Sequence, residues 1–475
     1  MAADSTSYRF SSRRRQRYHR RRSERAVAVS RGRNAAGQLA NGEPRALREE
    51  FVAFLSTSAP LALVALAVVV GALALVFAGC LDNEFITWDD DIYIYANPHV
   101  QSLTVDNLYW MLTNASWMYW HPLAYFSHAI DFTIGGANPR VHHLTSVLLH
   151  GVNALLVLGL FVVVLLDSRR RRPAKDAELQ YGIWAIGIAL AVLFGVHPLR
   201  VESVAWAAEK KDLLCALFVL VAVIMHFFYA DARSGRERKL LYGCLCVAAG
   251  LALLSKAMAV TLPALLLILD VYPLRRHERL PLRALLLEKL PVAAMSFAVL
   301  LINVLSAKDA DRVVTAGVIG WSDRLLLASW GFVFPLAKTL WPTDLVPIYP
   351  LPLPAELTLS NPRYLFSALA LVAMTLFCGF QWRRGSRGWL AAWACYLVLM
   401  TPVSGLRTLG SIATADRFAY LPMLSFTLLA GAGLVCRWQR ARERYSPRLV
   451  MTGLCLALAT IATVLGFRAA AQVEV

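Results

Sequence analysis

Charged residues are scarce in this sequence. Only 17% of its 475 residues are Asp, Glu, Lys or Arg, whereas 58% are hydrophobic. That scarcity excludes an ordinary soluble globule, because there are too few polar side chains to cover its surface. Segments of about 10 residues that alternate polar and apolar side chains are also absent, which excludes membrane-spanning strands. The sequence therefore predicts an all-α membrane protein.

The spacings of cysteine and histidine that are typical of metal sites and redox motifs are absent as well. The eight cysteines form no CxxC pair, so the sequence predicts neither a disulfide framework nor a thiolate metal site. Four histidines share one predicted loop, but they have no ligand spacing, and interfacial hydrogen bonding is the simpler interpretation. These histidines are His121, His128, His142 and His143. No metal-binding residue is predicted.

Long apolar runs dominate what is present. One helical crossing of a bilayer needs roughly 20 mostly apolar residues, and runs near that length predict a polytopic bundle of about 11 transmembrane helices. The predicted spans are 60–79, 144–166, 181–196, 213–230, 240–254, 257–272, 286–305, 364–381, 389–401, 420–436 and 449–467. We expect one membrane domain over residues 56–475.

The basic excess is concentrated at the N-terminus. The formal net charge is +17, and 13 arginines fall within the first 50 residues. Residues 1–55 are predicted to form a disordered cytoplasmic tail, because they lack apolar periodicity. Contact with anionic lipid headgroups is its expected role, ahead of a topology signal. No nucleic-acid partner is expected.

Lysine and arginine positions predict the topology. The tail and the five loops on its side of the membrane hold 34 of the 48 basic residues. By the positive-inside rule, the N-terminus is cytoplasmic and the C-terminus extracytoplasmic. Two large extracytoplasmic segments result, 81–143 and 306–361. The second contains a proline-interrupted apolar run, Leu325 to Trp341, which we interpret as an interfacial or re-entrant helix.

Acidic residues mark the first extracytoplasmic segment. It carries seven acids but only one base, Arg140, among many aromatic residues. The triplet Asp89, Asp90 and Asp91 follows the first span closely, so it should lie near the membrane surface. Partial desolvation there raises carboxylate basicity, which suits a general base. A solvated acidic turn or a cation site is the alternative.

Three further charged groups are predicted on the same face. They lie between the third and fourth spans, between the fifth and sixth, and at the start of the tenth. Charges close to membrane depth are costly and tend to be functional or paired. Structural ion pairs, or snorkelling of a lysine, are the alternatives. The groups comprise Arg200 and Glu202 with Lys210 and Lys211, then Lys256, then Asp416 and Arg417.

A set of short motifs follows in a fixed order along the chain. The motifs are Phe85 to Asn97, Trp120-His121-Pro122-Leu123, Asn138-Pro139, His142-His143-Leu144, His197 to Asp212, Leu254-Ser255-Lys256, Asp270 to Leu274 and Ala415 to Pro422. In this order they resemble the transmembrane and tetratricopeptide-repeat O-mannosyltransferases and their bacterial relatives, within the protein O-mannosyltransferase branch of GT-C glycosyltransferases. The resemblance spans about 80–425, and the ordered set is more specific than any single motif.

The resemblance implies a GT-C-type bundle with its catalytic acid in the first extracytoplasmic loop. It implies transfer of a sugar, mannose in this family, from a polyprenyl-phosphate donor to a hydroxyl acceptor such as protein Ser or Thr, with inversion. Asp89 and Asp90 match the catalytic acidic pair, and Asp91 extends it. The analogy makes Arg200, Lys210, Lys211, Lys256 and Arg417 candidates for the donor phosphate, with Glu202 and Asp416 orienting them.

Some features depart from the family. No repeat with a period of about 34 residues occurs, so the tetratricopeptide array is not expected here, which leaves the acceptor open as protein or glycan. A divalent cation is left open as a cofactor. The expected location is a bacterial inner membrane. A lipid-linked sugar transporter and a non-catalytic scaffold are the alternatives, but no inverted repeat supports the transporter.

Overall fold

The protein is described by a computed structural model. It describes residues 46–115, 120–170, 177–309, 320–406 and 412–474. The fold is helical throughout, with one short two-stranded pairing. The all-α fold class predicted from the sequence is confirmed, and the chain is an integral membrane protein.

Sixteen α-helices are present in the described residues. The first eight are α1 Leu47–Thr57, α2 Ala59–Phe77, α3 Val105–Thr113, α4 Pro122–Gly135, α5 Pro139–Arg170, α6 Ala177–Gly195, α7 Val201–Ala205 and α8 Lys210–Ala230. The others are α9 Gly235–Ser255, α10 Leu262–Val271, α11 Leu282–Asp309, α12 Trp321–Leu340, α13 Pro362–Arg383, α14 Arg387–Met400, α15 Leu424–Ala441 and α16 Pro447–Val473.

Every predicted span overlaps one of these helices. Among the described residues, eight helices are long and apolar enough to cross a membrane. The predicted spans at 257–272, 389–401 and 420–436 overlap α10, α14 and α15, which are not in that group. The predicted interfacial run corresponds to α12, which contains Pro335 and is not in that group either.

The predicted tail extends too far. Residues 1–45 lie outside the described residues, but α1 begins at Leu47, so the boundary at residue 55 is wrong. The cause is tertiary packing of two phenylalanines on α1. Phe51 lies 5.7 Å from the ring of Phe228, and Phe54 stacks on Trp184 at 5.3 Å. These contacts pack α1 against α8 and α6.

Helix α8 and the residues just before it lie at the centre of the bundle. In an 18-residue window of its apolar stretch Ala207–Ala230, 72% of the residues are buried, whereas the corresponding shares are 11% for α13 and 6% for α16. A helix that is apolar on all sides is stable only in a core or in lipid. In the structure, α8 lies inside the protein, while α13 and α16 lie at its periphery.

The first extracytoplasmic segment folds against the start of α8. Tyr93, Met111 and Tyr125 form an apolar cluster with Trp206 and Ala208, which directly precede that helix. The segment also ends earlier than predicted, because α5 begins at Pro139 and not at residue 144. Burial of aromatic side chains thus fixes the acidic triplet beside α8.

A short strand pair fixes the second extracytoplasmic segment. Strand β1, Tyr349–Pro350, runs antiparallel to β2, Ile412–Thr414, with Tyr349 opposite Thr414. The pair lies just before Asp416 and Arg417. It therefore brings the proline-rich chain after α12 to the start of the segment that leads into α15.

Candidate active site

The charged groups predicted on one face meet at a single carboxylate. Glu209 Oε1 lies 3.1 Å from Lys211 Nζ and 3.3 Å from Arg417 Nε, and Glu209 Oε2 lies 3.3 Å from Lys256 Nζ. Lys256 also pairs with Asp212, and Arg417 with Glu202. We call this group the ion-pair cluster; its members are Glu202, Glu209, Lys211, Asp212, Lys256 and Arg417.

Local backbone geometry puts adjacent lysines on different sides. Successive residues of an α-helix are rotated by about 100°, since one turn takes 3.6 residues. At the start of α8, Lys211 therefore faces Glu209, while Lys210 faces Asp131 on α4. Lys210 does not belong to the ion-pair cluster, although the sequence grouped it with Lys211.

Of the three acids in the triplet, Asp89 is the one whose side chain is partly exposed and also lies next to a cation. Its side chain is 22% exposed, and Oδ2 lies 3.6 Å from Lys211 Nζ. The same ammonium sits 4.4 Å above the ring of Tyr93. This arrangement fixes the Asp89 carboxylate at the edge of the ion-pair cluster while leaving it open to a substrate.

Asp90 has a different environment. Its Oδ1 accepts a hydrogen bond from Ala208 N at 2.8 Å, and its Oδ2 accepts one from Ile86 N at 3.0 Å. Burial raises the pKa of Asp90 to about 6, although the two amides and Lys211 oppose that shift. Both carboxylate oxygens thus tie the first segment to the residues before α8.

Asp91 has one buried oxygen with no protein partner. Among the described residues, nothing hydrogen-bonds to its Oδ1. The carboxylate forms no ion pair with any residue in the described part of the chain. Of the three predicted acids, only Asp89 therefore combines partial exposure with an ion-pair partner.

The two residues predicted to orient the cations have different partners. Glu202 accepts from the backbone N–H of Arg417 at 2.7 Å and from its guanidinium. Burial lowers the pKa of Arg417, but Glu209 and Glu202 more than offset this and raise it above its ordinary value. Asp416 accepts from the hydroxyl of Tyr349 at 3.2 Å, and its Oδ2 is buried.

Arg200 lies apart from these ion pairs. Its guanidinium carbon is 4.5 Å from the ring centroid of Phe194 and 5.1 Å from that of Tyr420. Burial lowers the pKa of Arg200 to about 10. Among the described residues it has no carboxylate partner, but only 3% of the residue is exposed. A donor phosphate could reach it only after rearrangement.

Three side chains lie close enough together to hold a metal ion. Donor atoms of His128, Asp131 and His142 lie within 4.8 Å of one another. Burial holds the pKa of His128 well below its usual range, so its imidazole is neutral, as a ligand must be. However, the Lys210 ammonium already contacts Asp131 Oδ2. A cation at this position would have to displace that lysine.

Each predicted phosphate-binding cation except Arg200 already has a carboxylate partner. Lys210 pairs with Asp131, Lys211 with Glu209, Lys256 with Asp212, and Arg417 with Glu202. Breaking such buried pairs costs free energy. Their assignment as phosphate ligands therefore stays a prediction. Glu209, which had no predicted role, is the residue that joins three of these cations; its only sequence signal was the density of charges around it.

Asp416 gives the site a pH dependence. Burial raises the pKa of Asp416 from 3.8 to about 7, so the folded protein retains a proton that an unfolded chain releases near pH 4. Stability should therefore fall as pH rises through this window, by at most about 4 kcal/mol. Asp416→Asn should remove this contribution and make the fall smaller than in the parent, while Asp90, whose pKa is also raised by burial, keeps its own share. Melting temperatures from pH 4 to 8 check this against Asp106→Asn, an exposed acid on α3; parallel curves for all three proteins would contradict it.

The fold and site together define a class of protein. It is an all-α integral membrane protein in which acids and bases pair around the buried carboxylate of Glu209, with the partly exposed carboxylate of Asp89 at their edge. No protein-family model matches the chain.

Curated relatives specify the resemblance further. Human protein O-mannosyl-transferase TMTC4 is 29% identical over 216 residues, which are 43% of this chain and 29% of that protein. Mouse protein O-mannosyl-transferase TMTC2 is 31% identical over 160 residues, 33% of this chain and 17% of that protein. The matched region thus spans less than a third of these relatives. The matches confirm the resemblance to transmembrane and tetratricopeptide-repeat O-mannosyltransferases.

One solved structure is also similar. The crystal structure of ArnT from Cupriavidus metallidurans bound to undecaprenyl phosphate aligns with a TM-score of 0.41 and 15% sequence identity. The alignment covers 86% of this chain and 64% of that one. A match this weak leaves the site to be interpreted from the chain's own residues.

Proposed function

We propose that this chain is a GT-C-type glycosyltransferase that uses a polyprenyl-phosphate sugar. The donor sugar is mannose, and the acceptor is a hydroxyl group, protein Ser or Thr in the first instance. Transfer takes place on the extracytoplasmic face with inversion at the anomeric carbon. The proposal is supported by the similarity to O-mannosyltransferases and by the position of Asp89.

The environment of Asp89 is the observation that carries the proposal. A general base must be accessible to its substrate and fixed in place. Asp89 meets both conditions, because it is partly exposed and lies 3.6 Å from Lys211 Nζ. It would take the proton of the acceptor hydroxyl as that oxygen attacks the anomeric carbon. The bond from this carbon to the phosphate oxygen breaks, and the lipid phosphate leaves with the electron pair.

One base is enough for this reaction. A phosphate is a good leaving group, so the separated acid and base of inverting glycosidases are not required. The main demand on the protein is to place donor and acceptor in line and to stabilise the departing negative charge. Asp90 serves by fixing the backbone that carries Asp89, since both its oxygens accept amide hydrogen bonds.

The same proposal includes a location and a topology. Basic residues of the loops predict a cytoplasmic N-terminus and an extracytoplasmic C-terminus in a bacterial inner membrane. The ion-pair cluster joins Lys211, Lys256 and Arg417, which come from the three predicted groups, and Asp89 lies at its edge; this proximity supports a shared face. An odd number of crossings is needed for this topology.

Transfer in membranes tests the function. Membranes that contain the chain, supplied with radiolabelled polyprenyl-phosphate mannose, should form a labelled protein or glycan product that is absent without the chain. The label should be released by β-elimination if it is attached to Ser or Thr. The control is the same membrane lacking only this chain.

Two other outcomes distinguish the alternatives. Movement of the labelled lipid between leaflets without any transferred product would favour a transporter. Absence of both transfer and donor binding would favour a scaffold. Either result would contradict the proposed enzyme activity.

A further inference from the structure

A cavity of about 620 Å³ opens beside the ion-pair cluster, between α12 and α13. Residues of α12, of β1 and of the proline-rich chain that follows line it. The side chains used below are those of Trp330, Phe334, Lys338, Asp344, Tyr349, Glu356 and Arg363. Cavities of roughly 300–1,000 Å³ are typical of small-molecule sites.

Two cations on this cavity form no direct ion pair with a carboxylate of the described residues. In the part of the chain that the structure describes, neither Lys338 nor Arg363 forms an ion pair with a carboxylate. Lys338 Nζ donates to the carbonyl oxygens of Thr343 and Asp344, and an ammonium has a third donor available. Arg363 is exposed, with its guanidinium 5.3 Å from the ring centroid of Trp330.

These cations contrast with those of the ion-pair cluster. Lys211, Lys256 and Arg417 are buried or nearly so, and each has at least one carboxylate partner. An incoming phosphate would have to compete with those carboxylates, and removing a partner from a buried pair is costly. At Lys338 and Arg363 a phosphate instead meets donors that form no direct ion pair with a carboxylate in the described part of the chain.

The rest of the lining suits a sugar. Aromatic faces pack against the C–H face of a sugar ring, and Trp330, Phe334 and Tyr349 supply such faces. Asp344 and Glu356 offer carboxylate oxygens that can accept hydrogen bonds from sugar hydroxyls. One cavity thus holds partners for both halves of a sugar phosphate.

The surroundings of the cavity also suit a lipid-linked sugar phosphate. Arg363 stands in the first turn of α13, which is apolar and exposes Phe366, Leu369 and Leu376. A lipid tail can follow that surface while its phosphate stays at the helix start. On the other side, Tyr349 donates to Asp416, the residue before Arg417 of the ion-pair cluster.

We propose that this cavity binds the glycosyl phosphate headgroup of the lipid donor, with Lys338 and Arg363 as the phosphate ligands. The inference rests on the proposed function and adds two residues to it. Charge-assisted hydrogen bonds from Arg and Lys are the strong contacts to phosphate, and Arg can make them in pairs.

Binding of radiolabelled undecaprenyl phosphate to the purified full-length chain tests this inference without requiring transfer. Arg363→Gln and Lys338→Gln should each weaken binding by about 10-fold, equal to about 1.4 kcal/mol. Arg363→Lys keeps the charge and should stay within about 3-fold of the parent. Arg140→Gln, which removes an exposed arginine of the first segment, should leave binding unchanged.

A second probe separates headgroup from tail. Undecaprenol has the same tail but no phosphate, so Arg363→Gln should not change its binding. Equal affinity of the parent, Arg363→Gln and Lys338→Gln for undecaprenyl phosphate would overturn the inference, while transfer by the parent would leave the proposed function standing. No binding by the parent would overturn the inference as well. The two variants lie on different helices, so misfolding of one leaves the other as a test.

Discussion

Asp89→Asn is expected to lower the rate of sugar transfer by about 10²–10⁴-fold, the range that general-base catalysis contributes. Asn has nearly the same shape as Asp but cannot accept the proton of the acceptor hydroxyl. The substitution should leave binding of the lipid donor within about 3-fold of the parent, because Asp89 lies outside the cavity beside α12. Transfer and donor binding are measured on the same membranes at matched expression.

Asp90→Asn is the matched comparison. Both oxygens of Asp90 accept backbone N–H groups, and an Asn amide can replace only one of those acceptors. An unpaired buried N–H costs about 1–3 kcal/mol, so this variant should melt earlier than the parent. If Asp89→Asn transfers sugar at the parent's rate, Asp89 is not the base, whatever Asp90→Asn does.

Glu209→Gln should destabilise the protein by about 3–5 kcal/mol, the cost of removing one partner from a buried ion pair. Glu209 is only 2% exposed and contacts Lys211, Lys256 and Arg417. Gln keeps the shape but removes the charge that all three cations share. Thermal unfolding in detergent, followed by tryptophan fluorescence, measures the effect.

Glu178→Gln is the control for this prediction. Glu178 pairs with Arg442 at 3.5 Å but is 62% exposed, so its pair should contribute at most about 1 kcal/mol. Equal melting of Glu209→Gln and Glu178→Gln would show that the ion-pair cluster does not stabilise the fold.

The helices could be predicted from sequence because their signal is local. An apolar run of sufficient length has only one backbone solution in lipid, and all eleven predicted spans overlap helices. The end of the tail was wrong because α1 depends on tertiary packing of Phe51 and Phe54, which no local rule reports. Span ends such as Pro139 shifted for a related reason, since helices continue past the apolar core.

The site could be predicted only as a set of residues. Charge counting put Asp89, Glu202, Lys256 and Arg417 on one face, and the structure brings them together. Which residues pair was not predictable, because pairing depends on how loops fold across long sequence separations. Lys210 and Asp131 form one such pair, between residues that the sequence never connected.

The exposure of each acid could not be predicted from the sequence either. Asp89 and Asp90 are neighbours of the same chemical type, yet one is open and the other accepts two amides. The cavity beside α12 is made from segments that carry no recognisable motif, so Lys338 and Arg363 drew no attention. Lys338 and Arg363 become candidate phosphate ligands only because the fold places both on one cavity beside β1.

The long separation between Glu202 and its partner affects biosynthesis. Arg417 follows Glu202 by 215 residues, so a chain that emerges from the N-terminus carries this carboxylate without its cation until the segment before α15 is made. Lys256 is made earlier and can pair with Glu209 in the meantime. A nascent chain that stops before Arg417 therefore leaves the Glu202 carboxylate without the cation that neutralises it in the folded protein.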